Sequence, residues 1–296
     1  MSEVQAVCVG VITMDTVALV DKYPQPDERV VARQIVRAGG GPAAVAAVAL
    51  ARLGISSAII GTVGNDADGL EIFRIFEREG VTTDGISISE SPTSGSVIVA
   101  SRDNSTRAIS TRQPVAQAPL NSAAKTLISK AQWLHFDHVG ITRTLEMGIS
   151  RDQGRKISFD AGYDVAEFDS TLVDLFVPTD RSMRSRHPQL SLEAGLALDC
   201  ASGNIAVATC GPNGSVGYSK ETGYVSAPGF KVDVLSTLGA GDVFHGALLS
   251  QIIQGLPLQE AMRRANAVAA ISCLGLDGQS AIPTTAELNT FLEANV

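Results

Sequence analysis

Aromatic residues make up only 5% of this 296-residue chain, and its four cysteines form no Cys-x-x-Cys pair. Cys8, Cys200, Cys210 and Cys273 are scattered, and no histidine stands at metal-ligand spacing. That pattern excludes a disulfide framework and predicts reduced core thiols, a reducing compartment and no protein-held metal centre. The opening Met-Ser-Glu-Val lacks the basic and apolar regions of a signal peptide. The most membrane-like run, Gly39 to Ala51, is bounded by Arg37 and Arg52 and is too short to span a bilayer. A cytoplasmic protein without a membrane partner is the expectation. Positive charge is in deficit as well: 23 Lys and Arg against 31 Asp and Glu give a net charge of -8. This argues against nucleic acid as a partner, and an anionic substrate would have to be met by a local Arg or Lys cluster. A nucleotide-dependent dehydrogenase is disfavoured, because Val9-Gly10-Val11 has no second glycine in range.

What the chain does contain is an ordinary globular composition, 45% hydrophobic and 18% charged, and a rhythm. Val4–Val11, Ser57–Ile60, Trp133–Phe136, Lys156–Phe159, Leu175–Val177 and Ile205–Thr209 read as buried strands. Helices are predicted over 42–53, 66–79, 242–254 and 257–273, with Pro42 opening the first and Gly54, Gly80, Gly255 and Gly275 closing them in turn. Alternating β and α of this length predicts an α/β fold with a doubly wound, mostly parallel sheet in a single domain over 1–296. Ligands of such sheets bind beyond the strands' carboxyl ends. Two stretches break the rhythm. Thr16–Val20 with Arg29–Arg37, and Ser94–Ser101 with Thr106–Arg112, read as paired short strands joined by polar turns such as 102–105. They predict either a small sheet covering the site or an antiparallel extension of the main sheet.

The most informative segment runs from Val232 to Gly246. A β-rich run, Lys231 to Leu235, enters the turn Gly239-Ala240-Gly241 and leaves as an apolar helix. Two glycines let bare backbone approach a ligand, and the next amides lie at a helix N-terminus that favours an anion. Asp242 sits at the lip of that anion hole. Phosphoryl transfer needs this pairing, amides for the charge and a base for the attacking hydroxyl's proton. Asp is also a common N-cap and Gly before a helix is common, so Gly-x-Gly-Asp alone is more often a turn than a site. No Gly-Lys-Ser/Thr follows it, so it is not a P-loop.

Taken together, five segments resemble the ribokinase/PfkB family of carbohydrate kinases over nearly the whole chain. They are Gly39-Gly-Gly-Pro-Ala-Ala with Ala51-Arg-Leu-Gly54, Gly61-Thr-Val-Gly64 through Gly69, Thr209-Cys-Gly211-Pro-Asn-Gly214, Ser236-Thr-Leu-Gly-Ala-Gly-Asp242, and Ala281-Ile-Pro-Thr284. The resemblance implies a ribokinase-like fold whose lid is formed by insertions at roughly 12–37 and 94–112. It implies transfer of the ATP γ-phosphoryl group to a sugar hydroxyl, with Mg2+ as cofactor and Asp242 as base. Gly239, Ala240 and Gly241 would form the anion hole. Thr209, Gly211 and Gly214 would meet the nucleotide phosphates or ribose, and Asn266 would lie near adenine. Asp15 would bind sugar hydroxyls, and Gly40 and Gly41 would admit the sugar. Lid strands pair between subunits in this family, so a homodimer is implied too.

Departures from the family pattern matter as much. Ser236 replaces an Asp that helps hold a monovalent cation in ribokinase, which weakens the case for potassium activation. Val45 replaces a sugar-binding Asn. Val177 to His187 stands where Asn-x-x-Glu is usual; Asp180 either substitutes for the Glu or belongs to a solvated loop. His245, a lone His inside a helix, is not expected to be a ligand. Within the family the pattern looks most like the sulfofructose kinase branch, whose ketose substrate carries a sulfonate. Such an anion needs cations, and Arg29, Arg33, Arg107 and Arg112 are the candidates on the lid. A sugar-binding regulatory protein with a weakened site and a nucleoside kinase of the same family remain as alternatives.

Overall fold

The computed structural model describes residues 4–295 other than 104–105, 113–114, 147, 152–153 and 163–167, and leaves the side chains of 143–146 undescribed. The polar turn expected at 102–105 therefore falls partly outside the described residues.

The apolar run near the N-terminus becomes β1 (Ala6–Val9), and its alternation assigns each side chain to a layer. Ala6 and Cys8 join one apolar cluster, and Val7 and Val9 join another. The first cluster includes α1 (Pro42–Arg52), α2 (Ala67–Glu79), α7 (Ala240–Ile253), α8 (Leu258–Ser272) and α9 (Thr285–Ala294). The second includes α3 (Ser122–Lys130), α4 (His138–Glu146), α5 (Asp180–Arg186) and α6 (Leu192–Asp199). Between them lies a nine-stranded sheet. β1 pairs in parallel with β4 (Ser57–Gly64) on one side and β8 (Trp133–Phe136) on the other. Beyond β4 stands β5 (Thr82–Ser89), and beyond β8 come β9 (Lys156–Ala161), β10 (Leu175–Pro178) and β11 (Ile205–Thr209), all parallel. An antiparallel hairpin, β12 (Ser215–Ser219) and β13 (Gly223–Ala227), finishes that edge. The strand order reverses between β1 and β8, which opens a crevice at their carboxyl ends.

The fold is thus the expected α/β type, and the irregular stretches form a second sheet rather than extending the first. Its order is β3 (Gln34–Gly40), β2 (Thr13–Val20), β6 (Ser96–Ser101) and β7 (Thr106–Thr111). Period-two alternation gives this lid an inner and an outer face. Val17, Leu19, Ile98 and Ala100 turn inward and pack with Leu276, Leu235 and Leu238. The lid is fastened to the body by Arg37 to Asp68 on α2 and by Arg107 to Thr237.

Two local choices fix the helices that matter. Asp66 caps α2 by accepting from the Gly69 amide, and Gly80 ends it in the left-handed region at φ 70°. At Gly246 on α7, a Cβ would lie 2.6 Å from the Ala46 carbonyl oxygen and 2.9 Å from its Cα. Together with the alanines of α1, that glycine lets α1 and α7 touch backbone to backbone.

One predicted strand does not form. Lys231–Leu235 is extended but joins no ladder; its Leu235 and Ser236 amides bond the Cys273 carbonyl at the end of α8. β13 already fills the sheet edge, so this stretch is free to run over the rim toward the cleft.

Candidate functional site

A narrow cleft separates the lid from the N-terminus of α7. Asp15, Gly40 and Gly41 line it on one side, Gly239 and Asp242 on the other, with Asp277 behind. On β2, Asp15 accepts the Ser96 amide at 2.8 Å and the Thr13 hydroxyl at 3.1 Å. Burial pushes its carboxyl above the usual range, with those two bonds opposing. Gly40 is where the chain crosses this carboxylate: a Cβ there would sit 2.2 Å from Asp15 Oδ2. Gly41 holds φ 98° immediately before α1.

Opposite, Gly239 caps α7 at φ 72°, and its Cβ would meet Gly278 Cα at 2.8 Å. The Ala240 amide is partly spent on a long bond, 3.4 Å, to the Thr237 carbonyl. The Gly241 and Asp242 amides have no acceptor among the described residues. Gly241 itself is exposed, and a Cβ there would meet nothing within 4 Å. The protein's own packing therefore does not require glycine at 241; any requirement comes from outside. Ser236 Oγ accepts the Leu238 amide at 3.2 Å and so helps hold the turn. Val45 lines the same cleft as an apolar wall.

Asp242 is half-buried, and its carboxyl is raised well above the ordinary range. Burial is the main cause, and the charges of Asp160 and Asp137 add to it while Arg107 opposes. Neither of those acidic neighbours stands out in the sequence. Asp137 follows β8 at the switch point, where it accepts the amides of Val11 at 2.6 Å, Gly140 at 2.9 Å and Val139 at 3.0 Å. Gly10 makes room for it, since a Cβ would lie 2.1 Å from its Oδ2. Asp160, at the carboxyl end of β9, accepts the Gly162 amide at 2.9 Å and lies 2.9 Å from His245 Nδ1. This last contact is close but does not have the geometry of a hydrogen bond. The available signal was positional: each carboxylate closes a buried apolar strand. His245, lone in the sequence, stands beside the Asp160 carboxylate in the fold.

The lid cations separate cleanly. Arg29 lies exposed in the connection from β2 to β3. Arg33 is taken up by Asp21 at 2.5 Å, and Arg112 donates to the Thr93 carbonyl at 3.0 Å. These three do not line the cleft. Arg107 does reach the turn, donating to Thr237 Oγ1 at 2.8 Å.

Around the second glycine loop, Thr209 ends β11, Gly211 is exposed at φ 55°, and Gly214 holds φ 92°. A Cβ on Gly214 would strike the Ala227 carbonyl oxygen at 2.2 Å, so that glycine is required by the turn itself. Asn266 lies on α8. It is buried, and its Nδ2 donates to the Ala227 and Pro228 carbonyls at 2.9 and 3.2 Å, fastening α8 to that segment. Asp180 occupies the first turn of α5 and caps the Arg181 amide. Among the described residues no group of three or more His, Cys, Asp or Glu side chains is placed to hold a metal. Nor is any helix of the described residues long and apolar enough to cross a membrane.

Residues 4–151 and 166–285 match the pfkB family of carbohydrate kinases, and the chain belongs to that family. Its relatives include a ribokinase of Bacillus subtilis, 28% identical with 97% of this chain and 99% of the relative covered. An ATP-dependent ribose-1-phosphate kinase of Halopiger xanaduensis is 27% identical, with 98% of each chain covered. Among solved structures, Arabidopsis thaliana ribokinase complexed with ribose and ATP superposes with a TM-score of 0.81 at 19% identity, covering 98% of each chain.

Proposed function

We propose that this protein transfers the γ-phosphoryl group of ATP to a hydroxyl, a primary one, of a monosaccharide or sugar derivative. Asp242 is the base: it takes the hydroxyl proton as the new oxygen–phosphorus bond forms and the bond to the ADP oxygen breaks. The turn Gly239-Ala240-Gly241 is the anion hole, with the free amides of Gly241 and Asp242 as its donors. The observation that carries this reading is the bare, exposed Gly241 beside a half-buried carboxyl of raised proton affinity. A base of raised pKa takes a proton near neutral pH better than an ordinary carboxylate does.

Asp15, Gly40 and Gly41 hold the sugar on the lid side, and Thr209, Gly211 and Gly214 face the nucleotide. A crystallised ribokinase relative carries ribose and ATP, and a candidate Escherichia coli ribokinase II carries ATP and Mg2+. Magnesium would enter as the ATP complex and supply charge neutralisation on the phosphates. With Ser236 in place of a carboxylate, no potassium requirement is proposed.

The acceptor is proposed to be a ketose bearing an anionic group, as in the sulfofructose kinase branch. Arg107 supports that choice, being the lid arginine that reaches the anion-hole turn. The protein is further proposed to dimerise through the outer lid face, where Ile35 and Val97 are 66% and 59% exposed.

An ADP-release screen over aldoses, ketoses, sugar acids, sulfosugars and nucleosides, with and without potassium, tests the reading. Release with a sugar acceptor supports it. Saturable sugar binding without ADP release replaces it with a regulatory role, and release with nucleosides alone makes the protein a nucleoside kinase.

A further inference from the structure

Behind Asp242 lies a buried polar cluster that the proposed transfer does not use. His245 stands one helical turn after the base on α7, so both side chains share a face. Its Nδ1 is 2.9 Å from Asp160 Oδ2, with His245 3% and Asp160 6% exposed. A second imidazole, His135 on β8, is fully buried with its ring centre 6.3 Å from that of His245 in an edge-on arrangement. His135 Nδ1 meets the Ser158 hydroxyl at 3.1 Å. Two strands of the sheet, β8 and β9, and α7 thus bring two imidazoles and three carboxyls together under the cleft.

We propose that Asp160, held by His245, is a positioning residue that sets the negative charge facing the base Asp242. An isolated buried carboxylate is costly and would protonate. Two contacts keep it charged, the His245 ring and the Gly162 amide. The charge so retained acts across the cluster on Asp242 and strengthens it as a proton acceptor. The directions of titration agree with this arrangement. Burial pushes Asp160 up, but His245 and the Gly162 amide bring it below the ordinary range, while Asp242 is driven well above. His135, pushed down to about 4 by burial and by His245, is neutral at working pH. The other groups facing the cluster are Asp137, with His138 and Cys8 beside it, and Arg107 from the lid. Asp137 is satisfied by backbone amides, so Asp160 is the carboxylate whose charge depends on a side-chain partner.

The inference rests on Asp242 being the base, but its test needs no substrate. Protein labelled with 13C at the aspartate carboxyls is titrated from about pH 4 to 9, with Asp242 assigned by D242N and Asp160 by D160N. D160N keeps the shape and removes the charge, and it is expected to lower the Asp242 midpoint by about one unit or more. H245Q is expected to bring Asp160, silent over that range in the wild type, into titration within it. An Asp242 midpoint moved by less than about 0.2 units in D160N overturns the proposal, as does an Asp160 signal that stays silent in H245Q. In an active enzyme, D160N would also shift ADP release toward lower pH, a change that lost stability alone would not produce. Failure of the acceptor screen would sink the kinase reading and leave these midpoints standing; unmoved midpoints would sink this inference alone.

Discussion

Arg107, on the edge strand of the lid, donates to Thr237 Oγ1 at 2.8 Å, two residues ahead of Gly239. One guanidinium therefore fastens the cover to the turn that holds the unpaired amides. The same group opposes the rise in Asp242's proton affinity, so its charge is felt at that carboxyl as well.

Arg107→Gln removes the charge and keeps a hydrogen-bonding end. If the acceptor is anionic, KM for it is expected to rise about tenfold or more, the scale of one lost charge-assisted bond. For a neutral sugar of the same ring form KM would change little. Steady-state kinetics on the paired sugars reads the difference, and equal effects on both would remove the anionic-acceptor reading.

Asp242→Asn is expected to lower kcat by about 10²–10⁴-fold while leaving ATP and sugar binding in place. Stopped-flow binding with steady-state turnover distinguishes that from loss of the fold. A near-wild-type kcat would end the case for this base.

The same substitution carries a stability signature of known sign. A carboxyl whose pKa is raised in the folded state favours folding below its unfolded pKa and loses that contribution as pH rises through the folded value. Asp242 is raised, so above the ordinary carboxylate range its ionisation costs stability. D242N should melt higher than wild type by roughly 2–4 °C at pH 8, with the gap closing toward pH 4. Differential scanning calorimetry across that range is the check.

Gly241→Ala tests where the demand for glycine originates. Its Cβ meets nothing within 4 Å, so the variant should fold with an unchanged melting temperature. A methyl group pointing into the anion hole should nevertheless raise KM for ATP or lower kcat by about tenfold or more. Gly40→Ala is the contrast: its Cβ would collide with Asp15 Oδ2 at 2.2 Å, so sugar binding and stability should fall together.

Much of this molecule can be read before folding it, for reasons visible in individual segments. β8 and β11 fall where largely apolar runs predict them, because strands buried on both faces carry few polar positions. α2 is bounded by its Asp66 cap and Gly80 stop. β5, Thr82–Ser89, escapes notice because it stands at a sheet edge and is half polar. Lys231–Leu235 has strand composition without a strand's partner, a fact of tertiary topology that no local pattern holds. In the cleft, the Gly-Ala-Gly turn and Asp242 carry their own signature. Asp137, Asp160 and His245 span 108 positions of the chain, and only the sheet order unites them.

The glycine contact between α7 and α1 has a consequence for how such an enzyme diversifies. α1 begins at the Gly40-Gly41 turn and α7 carries Asp242, and at Gly246 and Ala46 the two helices meet with no side chain between them to yield. On the proposed reading, the reach from acceptor hydroxyl to Asp242 is thereby set within a rigid chassis, whereas recognition of the rest of the sugar falls to lid strands that can be redecorated. New acceptors can be acquired by rewriting the cover, with the chemical step inherited unchanged.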